Sequence, residues 1–118
     1  MKITIADAAR QDIEDILLWS YESFGELACQ RYELLIVQAI SDLSNDPETP
    51  GSRPRPELGL EVRTYHISLS KERVRSAVGR VRRPRHFLVY RFRPDSHLEI
   101  ARVLHDSMDL ERQEIKLI

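Results

Sequence analysis

Apolar residues recur through the first 45 positions at the spacing of an α-helix. In residues 8–24 they are Ala9, Ile13, Ile16, Leu17, Tyr21 and Phe24. In residues 26–45 they are Ala28, Tyr32, Leu35, Ile36, Ala39 and Leu43. Gly25 stands between the two stripes, in the position where a glycine commonly ends a helix. The pattern therefore predicts two antiparallel helices joined by a very short turn.

Other segments alternate apolar and polar residues with a period of two, which is typical of β-strands. They lie at residues 2–6, 61–69, 85–93 and 97–104. Pro94, Asp95 and Ser96 separate the last two segments and predict a tight turn. The predicted order is β-α-α-β-β-β, an α+β fold with the helical hairpin packed on one face of a small antiparallel sheet. We expect the opposite face to be wet and basic, and residues 1–118 to form a single domain.

Two segments interrupt these patterns. Residues 45–55 contain Pro47, Pro50, Gly51 and Pro54 and are expected to form a loop. Residues 70–84 carry many basic side chains and one glycine, which predicts a long, mobile loop between strands.

Charge is distributed very unevenly along the chain. Residues 1–52 hold three basic and ten acidic side chains, a net of −7. Residues 53–93 hold twelve basic and three acidic side chains, a net of +9, and residues 94–118 hold three and six, a net of −3. One interpretation is that the basic middle binds an anionic partner. The other is that acidic helices and a basic sheet neutralise each other, and the sequence leaves both open.

Several classes of protein are disfavoured. No apolar run approaches the roughly 20 residues of a membrane span, and the first residues lack the apolar core of a secretory signal. Cys29 is the only cysteine, so no intrachain disulfide forms. We therefore expect a cytoplasmic protein without a membrane association.

Few residue patterns suggest catalysis. The sequence has no nucleophile motif and no glycine-rich phosphate loop, and its four histidines lack metal-ligand spacing, so no cofactor and no metal are expected. One set remains on the predicted strands: Arg63, Arg91, Arg102 and His105. Its arginines could hold a phosphodiester while the imidazole moves a proton in attack by a ribose 2′-hydroxyl. Ion pairs with neighbouring carboxylates (Glu57, Glu61, Glu99 or Asp106) are the favoured alternative.

Ordered short motifs cover nearly the whole chain. They are Ala8-x3-Asp12-Ile13, Phe24-Gly25, Arg31-Tyr32, Leu58-Gly59-x3-Arg63-x-Tyr65, His86-Phe87-x2-Tyr90-Arg91 and Arg102-Val103-Leu104-His105-x3-Asp109. As a set they resemble the RelE/ParE superfamily of bacterial toxin–antitoxin toxins, and its ParE-like branch most closely. The basic segment around residues 71–83 is longer than in a minimal ParE-like chain.

The resemblance implies the toxin of a type II toxin–antitoxin system, neutralised by a cognate antitoxin in a hetero-oligomer. ParE-like toxins inhibit DNA gyrase, whereas RelE-like toxins cut mRNA in the ribosome with a site that includes a C-terminal aromatic residue. Residues 106–109 contain no aromatic side chain. The prediction is therefore a gyrase inhibitor without catalytic residues. The alternative is a ribosome-dependent mRNA endonuclease using Arg63, Arg91, Arg102 and His105.

Contact residues can be predicted on the same basis. The basic loop suggests target contacts through Arg73, Arg75, Arg80, Arg82 and Arg83. The broad apolar arc of the second helix, together with an off-stripe tryptophan, suggests that the antitoxin contacts Trp19, Leu34, Val37 and Ile40.

Overall fold

The computed structural model describes residues 2–93, 95–108 and 115. Its helices are α1 (Asp7–Phe24) and α2 (Glu26–Asn45). Its strands are β1 (Lys2–Ile5), β2 (Arg53–Pro54), β3 (Val62–His66), β4 (His86–Arg93) and β5 (His97–His105). Two 3-10 helices, Pro56–Leu58 and Ile67–Arg73, flank β3. The predicted order of one strand, two helices and three further strands is confirmed, with the short β2 added.

The two helices form the predicted hairpin. Gly25 joins them with φ +94° and ψ −179°, a conformation that is essentially restricted to glycine. Its N–H donates to the carbonyl of Tyr21 at 2.9 Å, which closes the last turn of α1. A one-residue link forces α2 to reverse at once and to pack along α1.

The five strands form one sheet in the order β1-β5-β4-β3-β2. The neighbours β3, β4 and β5 are antiparallel, as predicted. β1 instead runs parallel to β5, from Lys2 opposite His97 to Ile5 opposite Ile100, so the sheet is mixed. β2 lies within the predicted loop of residues 45–55, where its proline is tolerated because β2 is an edge strand.

The β4–β5 hairpin turns where predicted, although Pro94 lies outside the described residues. Ser96 adopts φ +66° and its N–H donates to the carbonyl of Arg93 at 3.1 Å. Further along, Val89 faces Arg102 while Tyr90 faces Ile100, so β5 carries one extra residue between them. A β-bulge of this kind locally bends and twists the strand that carries it.

The predicted loop of residues 70–84 begins later than expected. Residues up to Arg73 belong to the second 3-10 helix, whose Ser70 is fully buried. The Ser70 hydroxyl donates to Asp42 of α2 at 2.6 Å and contacts the Tyr65 hydroxyl at 2.8 Å. The basic composition of the segment concealed this polar anchor, which ties the start of the loop to α2.

The main core lies between the helical hairpin and one face of the sheet. Its most buried side chains include Leu35, Ile36, Leu43, Ile67, Leu88, Tyr90, Leu98 and Ile100. The opposite face is not uniformly wet and basic, because Val62, Val89, Ala101 and Leu104 form a second buried cluster there. Within the described residues, no helix is long and apolar enough to cross a membrane.

Candidate functional site

Arg102 forms an ion pair that holds α1 against β5. Its Nε lies 2.7 Å from Asp12 Oδ2 and its Nη2 lies 2.9 Å from Asp12 Oδ1. Asp12 Oδ2 also accepts the backbone N–H of Val103 at 2.9 Å. Both side chains are mostly buried, at 17% and 14% exposure. Arg102 is therefore already engaged by a helix carboxylate that the sequence did not suggest as its partner.

The other two arginines predicted for phosphodiester cleavage also lie apart from His105. Arg63 donates to the Ser52 hydroxyl at 2.8 Å and so supports the β2 edge. Arg91 faces Glu99 on the neighbouring strand. His105 faces His86, five residues from Arg91 along β4, or about 17 Å at the usual rise per residue. The four predicted residues therefore do not share one site.

A different site surrounds His105. A cleft of about 630 Å³ opens between the end of the helical hairpin, the loop of residues 80–85 and the paired ends of β4 and β5. Its lining includes two exposed aromatic residues, two histidines, Tyr32 and five arginines: Arg31, Arg80, Arg82, Arg83 and Arg85. Among the described residues that line this cleft, none is acidic. We call it the arginine cleft.

The floor of the arginine cleft contains a buried tyrosine–histidine pair. The Tyr32 hydroxyl lies 2.5 Å from His86 Nδ1 and accepts the backbone N–H of Arg85 at 3.1 Å. Because the tyrosine oxygen accepts from Arg85, its own proton is available to His86 Nδ1. In the neutral ring the remaining proton then sits on His86 Nε2, which becomes a hydrogen-bond donor.

Burial determines the charge state of this pair. Burial, with a smaller contribution from the nearby His105 imidazole, lowers the pKa of His86 to about 4. Burial also raises the pKa of Tyr32 above its usual value. At neutral pH both groups are therefore uncharged, and the positive charge of the cleft comes mainly from its arginines.

His105 contacts His86 edge to face, with ring centroids 5.2 Å apart. His105 Nδ1 lies 2.7 Å from the Ser107 hydroxyl and accepts the Ser107 N–H at 3.1 Å. Nδ1 is therefore the acceptor of the neutral ring, and Nε2 carries the proton. The two imidazoles are held in fixed orientations by partners on opposite sides.

Asp106 connects the cleft to the loop before β4. Arg85 Nη2 and Nε donate to its carboxylate at 2.9 and 3.1 Å, and His66 Nε2 lies 3.1 Å away. The hydrogen bonds from Arg85 are the main reason that the pKa of Asp106 falls to about 2. Arg85 is thus positioned at the wall of the cleft while it stays charged.

The five arginines predicted to contact the target lie in four different environments. Arg73 lies 3.2 Å from the buried carboxylate of Asp42, and Arg75 is exposed away from the arginine cleft. Arg80 is held by the Val74 carbonyl and by Glu72, at 3.0 and 3.2 Å. Arg82 and Arg83 are exposed, line the cleft and, in the described part of the chain, form no ion pair.

Two aromatic side chains form the rim of the arginine cleft. Trp19 is 55% exposed and Phe24 is 68% exposed. Their rings meet edge to face with centroids 5.4 Å apart. Large aromatic rings exposed to this degree beside cations are suited to stacking against a ligand.

The residues predicted to contact the antitoxin fall in two places. Val37, 58% exposed, and Ile40 line a groove of about 490 Å³ with Ile3, Ile5 and Arg10, along β1. Leu34 is 38% exposed on α2. Trp19 belongs to the arginine cleft instead. We call the groove beside β1 the edge groove.

Sequence reasoning missed Tyr32 and His86. Tyr32 belongs to the apolar stripe of α2, which predicted a packing role, and His86 was considered only as one of four histidines without metal-ligand spacing. A signal was present in the Arg31-Tyr32 and His86-Phe87 motifs. These motifs did not indicate a contact between Tyr32 and His86, because only the fold shows that α2 lies beside the ends of β4 and β5. Within the described residues, no group of histidine, cysteine and carboxylate side chains is suited to a metal ion.

A family model matches most of the chain. The family model described as "ParE toxin of type II toxin-antitoxin system, parDE" matches residues 3–110. The match covers both α-helices and all five strands, except for Lys2 at the start of β1. No curated protein matches the chain.

Proposed function

Because the chain belongs to the ParE toxin family of type II toxin–antitoxin systems, we propose that it inhibits DNA gyrase and that a cognate antitoxin neutralises it. The observation that carries the proposal is the family match across the whole fold. The dispersal of Arg63, Arg91 and Arg102 away from His105 agrees with it, because that set was the predicted equipment for RNA cleavage.

The exposed arginines are the proposed contacts with gyrase. Arg82 and Arg83 are the strongest candidates, because neither is engaged by a carboxylate in the described part of the chain. Arg75 and Arg80 extend the same basic loop. Arg73 contributes less, because its guanidinium is held by Asp42. Such a cluster attracts an anionic surface and speeds its association with the toxin.

A supercoiling assay with purified gyrase tests this proposal. We expect the toxin to inhibit supercoiling and to leave gyrase-linked DNA breaks. The Arg82→Gln and Arg83→Gln double variant should need at least ten times more protein for the same inhibition. Arg53→Gln is the matched control, since it removes one exposed arginine on β2 outside the loop. Full supercoiling at excess toxin, across several bacterial gyrases, would contradict the proposal.

The edge groove is the proposed main contact for the antitoxin. It combines exposed apolar side chains on α2, such as Val37, with β1, an edge strand whose second side has no strand partner in the described sheet. A partner segment can add a strand to such an edge or lay a helix into the groove beside it. Both modes bury Ile3 and Val37 and leave the arginine cleft for separate contacts.

Titration calorimetry with the cognate antitoxin tests this contact. Val37→Glu should weaken binding at least tenfold, because it places a charge in an apolar contact. Leu60→Glu is the matched control, on a residue that is 83% exposed outside the edge groove. Trp19→Ala, measured alone, tests whether the antitoxin also covers the arginine cleft. Equal affinity for Val37→Glu and the unmodified toxin would place the contact elsewhere.

A ribosome-dependent mRNA endonuclease is the second candidate function. The observation that favours it is the cluster of Tyr32, His86 and His105 beside arginines, which replaces the predicted set. Mapping of mRNA 5′ ends after brief expression distinguishes the two functions. Cuts in phase with codons that disappear in His105→Asn would favour cleavage, whereas intact message during growth arrest would exclude it.

A further inference from the structure

The arginine cleft combines cations, exposed aromatic rings and an uncharged polar floor. We infer that it binds a phosphorylated nucleobase, either as a free nucleotide or as an unpaired nucleotide of a strand. The phosphate would lie against Arg82, Arg83 and Arg85, and the base against Trp19 and Phe24. This inference concerns binding by the toxin alone, and it does not depend on gyrase inhibition.

The positive charge of the arginine cleft favours an anionic ligand. Five guanidinium groups line one opening. Glu72 and Asp106, which lie outside the lining, pair with Arg80 and Arg85. In the described part of the chain, no carboxylate pairs with Arg31, Arg82 or Arg83. Arg31 is fixed by a hydrogen bond to the Val78 carbonyl, and Arg85 is fixed by Asp106. Arg82 and Arg83 therefore provide the planar, multiply donating groups that match phosphate oxygens best.

The aromatic rim distinguishes a nucleotide from other anions. Trp19 and Phe24 both keep more than half of their surface exposed, although their rings touch. Stacking of a base on such rings adds to phosphate binding and is insensitive to sequence. An acidic peptide would satisfy the arginines but would leave these two rings in water.

The floor provides hydrogen-bonding groups for the same ligand. The tautomer imposed by Tyr32 leaves the Nε2–H of His86 as a donor, and His105 Nε2 is available beside it. The buried His86 ring is uncharged at neutral pH and therefore does not require a second anion. The donors can meet a phosphate oxygen or an acceptor on the base edge.

The size of the cleft limits the ligand. About 630 Å³ lies in the usual range for a small-molecule site and accommodates one nucleotide. Bases within a duplex are stacked on one another, so they cannot reach Trp19 and Phe24 unless a base leaves the stack. The cleft should therefore prefer mononucleotides and single strands to double-stranded DNA.

Fluorescence of Trp19 reports on this cleft alone, because it is the only tryptophan in the chain. The toxin, without gyrase, is titrated with adenosine monophosphate, adenosine and inorganic phosphate. It is also titrated with single-stranded DNA and RNA tetramers and with a duplex dodecamer. We expect saturable quenching by adenosine monophosphate, at least tenfold weaker binding of adenosine or phosphate alone, and tighter binding of a tetramer. The DNA and RNA arms identify the preferred source of the nucleotide.

Variants locate the binding. The Arg82→Gln and Arg83→Gln double variant should weaken nucleotide binding at least tenfold and flatten its salt dependence, and Phe24→Leu should weaken it severalfold. Arg53→Gln should bind like the unmodified toxin, and circular dichroism confirms that each variant is folded. The inference is overturned if no nucleotide quenches saturably at millimolar concentration. It is also overturned if a glutamate-rich octapeptide or the duplex binds more tightly than the tetramers. Neither of those results would change the gyrase assay.

Discussion

The buried His86 should make the free energy of unfolding depend on pH. Its side chain is almost fully buried, and its pKa in the folded protein is about 4, against an ordinary value of 6.5. Because the folded-state pKa is the lower one, the unfolded chain binds a proton first as the pH falls. Stability is therefore lost from about pH 6.5 downward, and the loss is complete below about pH 4.

The size of the effect follows from the two pKa values. A difference of about 2.5 units corresponds to about 3 kcal/mol when the loss is complete. Between pH 7.5 and pH 5.0 the same linkage gives about 2 kcal/mol. Asp106 acts in a different window, because its lowered pKa costs stability only as the pH falls from about 4 to about 2.

Urea unfolding at pH 7.5, 6.5 and 5.0 measures this linkage in the unmodified protein and in His86→Asn. The asparagine oxygen can still accept the Tyr32 hydroxyl, but the side chain no longer titrates. We expect the unmodified protein to lose about 2 kcal/mol more than the variant between pH 7.5 and 5.0. His97→Asn controls for loss of an imidazole elsewhere on the sheet. Parallel pH profiles for the unmodified protein and His86→Asn would refute the reasoning.

Three further substitutions test the contacts that position the site, each by urea unfolding at pH 7.5. Asp12→Ala should lower the free energy of unfolding by roughly 3 kcal/mol, because it leaves Arg102 and the Val103 N–H without their carboxylate. Asp15→Ala, on the exposed side of α1, should change it by less than about 0.5 kcal/mol. Arg73→Gln should lower the free energy of unfolding by about 1 kcal/mol, because it removes the ion pair with Asp42. Arg75→Gln should leave the free energy of unfolding almost unchanged. Equal losses in the two variants would contradict the assigned ion pair. Gly25→Ala should cost about 1–3 kcal/mol despite open space around the added methyl group, because φ +94° strains any other residue.

Local patterns in the sequence predicted most of the fold. Apolar spacing of three and four residues defined both helices, and alternation of period two defined the antiparallel strands. Alternation does not say which strand lies beside which, so the parallel placement of β1 on β5 was not predicted. The 3-10 helix at Ile67–Arg73 was missed because short helices have no periodic signal.

The candidate site was less accessible to sequence reasoning, because its members come from distant parts of the chain. Arg102 was grouped with His105 because both lie on the last predicted strand or directly at its end. In the structure Arg102 instead forms an ion pair with Asp12, which lies 90 residues earlier in the sequence. Tyr32 matched the apolar stripe of α2 and His86 lies 54 residues away from it in sequence, so their mutual hydrogen bond could not be predicted before the fold was known. The basic segment of residues 70–84 was recognised from composition, but only the structure separates the anchored Arg73 from the unengaged Arg82 and Arg83.

The parallel pairing of β1 with β5 has a consequence for biosynthesis. Lys2 leaves the ribosome well before its partner His97, which lies 95 positions later in the chain. After the helical hairpin has been translated, β1 cannot pair with β5, and Asp12 cannot pair with Arg102, until β5 has been synthesised. Translation products truncated before β5 lack both of these partners, so a message terminated upstream of His97 should yield no folded toxin.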